Sequence, residues 1–266
     1  MADIHLRNIL VKLPSSFNHI TIKQFYEEYG EPETASITLR DGSMLPPNPN
    51  IPPKAVIPLY LGKEANEFKL QDAHALLSGF GESYHVSEVR RGEDCHTPLA
   101  MRPPEARFEP RSPLSYSADI WSLAIAIWEI LGMKALFSNE YITEDEMVSE
   151  HIDVLGPMPR SWLERWEKRG EFFDDENGRR PKEGREVWPE LEDAFQQGVQ
   201  SYRQKFAIGV FGEEETRAIL NLIRQMLAFQ PEKRPTIEDV LGSEWMVKWV
   251  LPDLERCDRV RSENSN

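Results

Sequence analysis

Asp3-Ile4-His5-Leu6-Arg7-Asn8-Ile9-Leu10 sets an aspartate and an asparagine four intervening residues apart, just ahead of an apolar stretch. By itself such a pair is a polar turn before a strand. Ile9 to Leu13, apolar apart from Lys12, reads as a short hairpin strand. Asp72 to Ser78 returns to strand-like character and runs into the turn Gly79-Phe80-Gly81. Between these stretches lies Pro14 to Leu70, with Pro46-Pro47, Pro49 and Pro52-Pro53 in one cluster. Successive prolines lack amide donors and resist helix, so this piece reads as an extended surface excursion, either a tolerated insert or a docking strap.

From Ser117 onward the chain reads as helical. Ile120, Leu123, Ile127, Ile130 and Leu131 recur at helical spacing, and Ala124 and Ala126 allow close packing. Ser115 or Ser117 is placed to cap that helix. Further helices are expected over Asp145 to Val154, with Met147, His151 and Val154 on one side, and over Glu213 to Ala228, with Ile219, Leu222, Ile223, Met226 and Leu227 inward. Thr236-Ile237-Glu238-Asp239 offers an N-cap with early acids and begins a last helix, after which residues 254–266 are expected to fray. Glu82 to Arg102 and Phe172 to Arg185 read as irregular.

The 266 residues carry 31 basic and 45 acidic side chains, a formal net charge of −14. A field of that sign disfavours nucleic acid and favours basic partners, although dispersed acid also serves ordinary solubility. Cys95 and Cys257 give neither a disulfide framework nor metal-ligand spacing, which points to a reducing compartment, cytoplasmic or nuclear. No apolar run approaches a membrane span: Ile120 to Leu131 is too short and reads as a buried helix. The start of the sequence lacks the apolar core of a signal peptide.

Six stretches fall in a telling order: Asp3 to Leu10; Ala75-Leu76-Leu77-Ser78-Gly79-Phe80-Gly81; Met101-Arg102-Pro103-Pro104-Glu105; Tyr116-Ser117-Ala118-Asp119-Ile120-Trp121-Ser122-Leu123; Leu131-Gly132-Met133-Lys134-Ala135-Leu136-Phe137; and Pro231-Glu232-Lys233-Arg234-Pro235-Thr236. Together they resemble the large, C-terminal lobe of eukaryotic protein kinases. Arg102 before Pro103-Pro104-Glu105, with the long stretch from Leu136 to Trp188, resembles the branch holding the cyclin-dependent, MAP and SR-protein kinases. The nearest likeness is to fungal SR-protein-kinase-like serine/threonine kinases.

The resemblance implies a mainly α fold, a kinase-like C-terminal lobe with short β-hairpins near the catalytic loop and no N-terminal lobe. The lobe would span 1–253, with an insert at 14–70, an activation segment at 79–105 and a kinase-branch insert at 137–210. It implies that Asp3 is the catalytic base and that Asn8 holds magnesium of Mg-ATP. Gly79 stands where the metal-binding aspartate of D-F-G is expected, His5 where the family has a lysine, and Met1 and Ala2 where it has His and Arg. With Ala2 there, Thr97 is a poor candidate for a phosphorylation switch. Glu82, three residues on, would need an unusual path to replace the missing carboxylate. Four structural roles follow by resemblance: Glu105 and Arg234 as a buried ion pair, Asp119 accepting hydrogen bonds from the catalytic-loop backbone, and Phe80 packing on the residue at the Met1 position.

Two readings come from this. In the first, the chain is part of a serine/threonine kinase of SR-protein-kinase type, inactive as it stands and not binding Mg-ATP alone, with a separate small lobe or partner covering its apolar face. In the second, it is a non-catalytic pseudokinase module whose acidic surface binds basic, Arg-rich protein. A metal hydrolase is remote, because no histidine pair has ligand spacing on one face.

Overall fold

The structure is a computed structural model that describes residues 4–13, 15–44, 46, 48–59, 61, 67–69, 72–85, 88–132 and 134–264. The chain divides into two compact units, Met1–Val11 with Lys69–Asn266, and Lys12–Phe68. In chain order, β1 (Ile9–Val11) is followed by α1 (Ile22–Tyr29), β2 (Thr34–Ser36) and β3 (Lys54–Val56) of the smaller unit. The larger unit resumes with β4 (Ala75–Leu77), α2 (Glu105–Phe108), α3 (Tyr116–Gly132), α4 (Glu144–Leu155), α5 (Arg160–Arg165), α6 (Arg169–Phe172) and α7 (Leu191–Phe195). It ends with α8 (Ser201–Lys205), α9 (Glu213–Met226), α10 (Ile237–Leu241) and α11 (Leu251–Asn264). The fold is mainly α, with two short antiparallel hairpins, β1–β4 and β2–β3.

The core is built around α3. Ala118, Trp121, Ala124, Ile125 and Trp128 are each no more than 1 % exposed, which requires neighbours on several sides of the helix. A helix apolar around most of its girth is a buried helix. Its apolar residues are so many that spacing alone misassigns one: Ile130, expected in the repeat, is 56 % exposed. α9 is cleanly amphipathic and contributes Ile219, Leu222, Ile223 and Met226, with Leu227 just past its end. At the far end of α3, Gly132 meets the wide helical turn 196–200. A Cβ there would lie 2.7 Å from Val199 Cγ2 and 2.9 Å from the Gly198 carbonyl, so only glycine lets the two backbones approach.

A second cluster joins α4 to α5 and α6 through Val148, Ile152, Trp162, Leu163, Trp166 and Phe172, with Phe108 of α2 stacked on Trp162 at 5.3 Å. α4 carries the expected inward residues Met147, His151 and Val154, and Thr143 closes a capping box with Glu146 at its start.

Two expectations are corrected. Residues 14–70 are not simply extended: Thr21 forms a capping box with Gln24, and Phe17 packs with Phe25 and Tyr29 along α1. The proline cluster governs only the stretch around it, and the cap and aromatic spacing upstream decide α1. Likewise α10 is not the last helix. Its Thr236 cap is present, but residues 254–264 continue as α11, with Cys257 buried at 2 % exposure.

Candidate functional site

β1 and β4 pair antiparallel with Ile9 opposite Leu77, Leu10 opposite Leu76 and Val11 opposite Ala75. That register delivers Asn8 beside the Gly79-Phe80-Gly81 turn. Ser78 fixes the approach, its backbone amide and its hydroxyl both donating to the Asn8 carbonyl, at 2.8 and 3.1 Å. Gly79 then turns the chain at φ +75°, ψ +26°, in the left-handed region. Among non-glycine residues this region is tolerated best by Asn and Asp.

The Asn8 side chain lies over Gly79. A Cβ built on Gly79 would meet Asn8 Oδ1 at 2.2 Å, Cγ at 2.3 Å and Nδ2 at 2.5 Å. Asn8 Nδ2 also donates to His5 Nε2 at 3.1 Å, with the imidazole buried at 8 % exposure. The volume that an aspartate at position 79 would use is therefore taken by the Asn8 amide. Glu82, the nearest alternative carboxylate, is turned toward residues 90–96: it bonds His96 Nδ1 at 3.0 Å and Arg90 at 3.3 Å. The hydrogen bond from His96, then the charges of His96 and Arg90, hold its carboxyl below the usual range. Among the described residues no group of three or more His, Cys, Asp or Glu could hold a metal ion. The residues present thus do not fit a magnesium nucleotide bridged between Asn8 and position 79. Asp3 lies outside the described residues.

The remaining sequence-expected residues are placed as follows. Arg234 forks onto Glu105, Nη1 to Oε1 at 2.7 Å and Nη2 to Oε2 at 2.6 Å. Its other hydrogens go to the carbonyls of Ser117, Ala228 and Phe229, and its guanidinium lies 5.0 Å from the Trp121 ring centre. All five donors are satisfied, which lets a charged pair sit in the core. Asp119 lies in the first turn of α3. Phe80 is 56 % exposed, and Met1, its expected neighbour, lies outside the described residues. Thr97 is buried at 7 % exposure, and its carbonyl accepts from Arg102 Nε at 3.0 Å.

Arg102 also leads away from the loop to Glu144 at 3.3 Å. Asp145 takes bonds from Arg107, from Trp166 Nε1 at 2.7 Å and from Lys168 at 3.2 Å. Burial would raise the Asp145 carboxyl, but these donors outweigh it and hold it low. The segment after Thr97 is thereby tied to the start of α4.

Beside the loop is a cavity of about 370 Å³ lined by His5, Arg7, Met101, Glu129, Ser138 and Tyr141, among others. Glu129 is half-buried on α3, and burial alone pushes its carboxyl up. Neither Glu129 nor Tyr141 belongs to one of the kinase-like motifs. The available signal was an acid inside the apolar run Ile127-Trp128-Glu129-Ile130-Leu131.

Residues 63–246, more than half of the chain, match the protein kinase domain family. The chain belongs to that family. The serine/threonine-protein kinase SKY1 of Saccharomyces cerevisiae is 27 % identical over 146 residues, which is 50 % of this chain and 18 % of SKY1. The serine/threonine-protein kinase SRPK of Physarum polycephalum is 28 % identical over 134 residues, 48 % of this chain and 29 % of that protein. The protein kinase dsk1 of Schizosaccharomyces pombe is 27 % identical over 134 residues, 49 % of this chain and 23 % of dsk1. The matched stretch covers less than a third of each of these relatives. The kinase-family motifs from Met101 to Thr236 lie inside the family match, whereas Asp3 and Asn8 lie before it. No helix of the described residues is long and apolar enough to cross a membrane.

Proposed function

We propose that this chain is part of a serine/threonine kinase of SR-protein-kinase type whose own residues do not perform phosphoryl transfer, and that it acts by binding a basic protein segment. The observation that carries the reading is the pair Gly79 and Asn8. Transfer from a magnesium nucleotide depends on placing and neutralising the phosphates. Here one expected metal ligand has no side chain and the amide of the other covers its place. Asp3 as base, Asn8 as metal ligand and Asp119 as acceptor for the loop backbone are the roles the family resemblance assigns. Any activity of the relatives' kind would need a carboxylate at position 79.

A formal charge of −14 and the half-buried Glu129 beside the loop support a basic partner. A carboxylate in a cavity, partly withheld from water, acts on a cation with less screening than a surface acid does. Arg7 lines the same cavity but is exposed, so solvent screens its charge more strongly. Cytoplasm or nucleus suits Cys95 and Cys257, which are not joined in a disulfide.

The test is a peptide-phosphorylation assay with Mg-ATP and an Arg-Ser peptide, run beside a binding titration of the same peptide. Binding without phosphate incorporation is expected. Incorporation that depends on Asp3, lost in Asp3→Asn, would sink the non-catalytic reading.

A further inference from the structure

A cavity of about 630 Å³ lies in the larger unit, where the end of α4, residues 173–181, the start of α7 and the end of α9 meet. It shares no lining residue with the cavity that holds Glu129. Its size is that of a pocket for a small organic molecule. Buried Ile152, Val154, Leu191 and Leu227 give it an apolar lining. Phe173, Trp188 and Phe229 add three aromatic rings. Against such walls a flat aromatic body gains both buried area and ring contact.

The charges decide what that body must carry. Asp153 lines the cavity but is engaged within the fold: Arg185 forks onto it, Nη1 to Oδ2 at 2.8 Å and Nη2 to Oδ1 at 2.7 Å, and the Trp188 amide donates to Oδ2 at 3.1 Å. Glu192 and Arg224 pair with each other. Glu190 is the N-cap residue of the helical run 191–205, where negative charge is favoured. Arg179 alone has no compensating group. Its backbone amide donates to Asp175, and its exposed guanidinium has no hydrogen bond or ion pair with any described residue. A guanidinium fork matches a planar or tetrahedral oxyanion. The net charge of −14 repels anions at long range, but physiological salt screens that field beyond about 8 Å, so the contact at Arg179 decides.

We propose that this cavity binds a small aromatic organic acid, its rings among Phe173, Trp188 and Phe229 and its carboxylate or sulfonate on Arg179. The site is separate from the surface that takes a basic segment, and its ligand has the opposite charge. Neither reading depends on the other.

The test titrates the full chain with two fluorescent probes of the same aromatic body, anilinonaphthalene sulfonate and the uncharged phenyl-naphthylamine that lacks the sulfonate. Wild type, Arg179→Gln and Ala228→Leu are compared, with a melting curve for each. Ala228 lines the cavity, so leucine there takes up part of its space. Wild type is expected to bind the sulfonate more tightly than the uncharged probe. Arg179→Gln should bind the sulfonate about two- to fivefold more weakly and the uncharged probe as wild type does. Ala228→Leu should weaken both. Equal sulfonate affinity in wild type and Arg179→Gln refutes the acid site, and because Arg179 is exposed this comparison decides even if Ala228→Leu melts early. Sulfonate binding unchanged in a natively melting Ala228→Leu places the probe elsewhere and refutes it as well.

Discussion

At position 79 the backbone conformation and the neighbouring side chain make separable demands. Gly79→Ala places a Cβ in the left-handed region and against the Asn8 amide. The conformational part costs about 1–2 kcal/mol, and the collision adds to it unless Asn8 swings aside. Urea denaturation of Gly79→Ala, Asn8→Ala and the double variant should show a coupling of about 0.5–3 kcal/mol, with Asn8→Ala relieving part of the Gly79→Ala loss. Strict additivity would mean the two residues do not share that volume. His151 is a second residue-scale device. Its ring is edge-on to Phe137 at 4.6 Å and to Trp121 at 5.2 Å, its Nε2 is buried without a hydrogen-bond partner among the described residues, and burial lowers its pKa to about 3. The unfolded chain protonates near 6.5 and the folded chain does not, so stability present above pH 6.5 is lost as pH falls toward 3. Between pH 7 and 5, wild type should lose roughly 1 kcal/mol per pH unit below 6.5, and His151→Phe should lose less. Equal acid slopes for the two would contradict this. The sequence spacing sets His151 on one side of its helix with Met147 and Val154, but it does not show that the imidazole lies between two aromatic rings. Its isolation comes from Trp121 and Phe137, far apart in the chain. The family resemblance sets Gly79 where a carboxylate is expected, whereas the Asn8 amide over it depends on the β1–β4 register.

Elements were more legible than sites wherever a local signal fixed them. The Thr236–Asp239 cap is readable in the sequence and α10 begins directly after it, while α4, expected from Asp145, begins one residue earlier, at Glu144, behind the Thr143–Glu146 cap. Thr143→Ala should cost about 1 kcal/mol in chemical denaturation, because the Thr143 hydroxyl no longer accepts from the Glu146 amide and the start of α4 is left to water. α11 was missed because its sequence is polar. The direction of burial on α3 was only partly legible, since a helix apolar around most of its surface carries no strong periodic signal. Between elements, Glu105 of α2 and Arg234 before α10 are 129 residues apart in sequence, and only the family resemblance anticipates their meeting. Arg234→Met should destabilise by ~3–5 kcal/mol, because it strands the buried Glu105 carboxylate, and replacing both partners with apolar residues should cost less than that. Thermal melts of the single and double variants decide it. A double variant worse than the sum of the singles would contradict a desolvation origin.

For the whole molecule, the proposed binding of a basic segment to a chain of net charge −14 should be salt-dependent. Raising ionic strength from about 0.1 M to about 1 M shortens the screening length from about 10 Å to about 3 Å, so affinity for an Arg-rich peptide should fall steeply across that range. Affinity unchanged by salt would assign the binding to apolar contacts instead. Composition foretold the sign of this field but not the cavity in which one acid is left half-buried. The central claim is that a kinase-family fold here lacks a working metal and nucleotide site of its own. Its most direct test is the melting temperature of the wild-type chain as Mg-ATP is raised to millimolar levels, with EDTA as the control. A ligand that binds the native state raises stability with the logarithm of its concentration once that exceeds its dissociation constant. The account predicts a melting temperature unmoved by Mg-ATP, and a saturable, magnesium-dependent rise would contradict it.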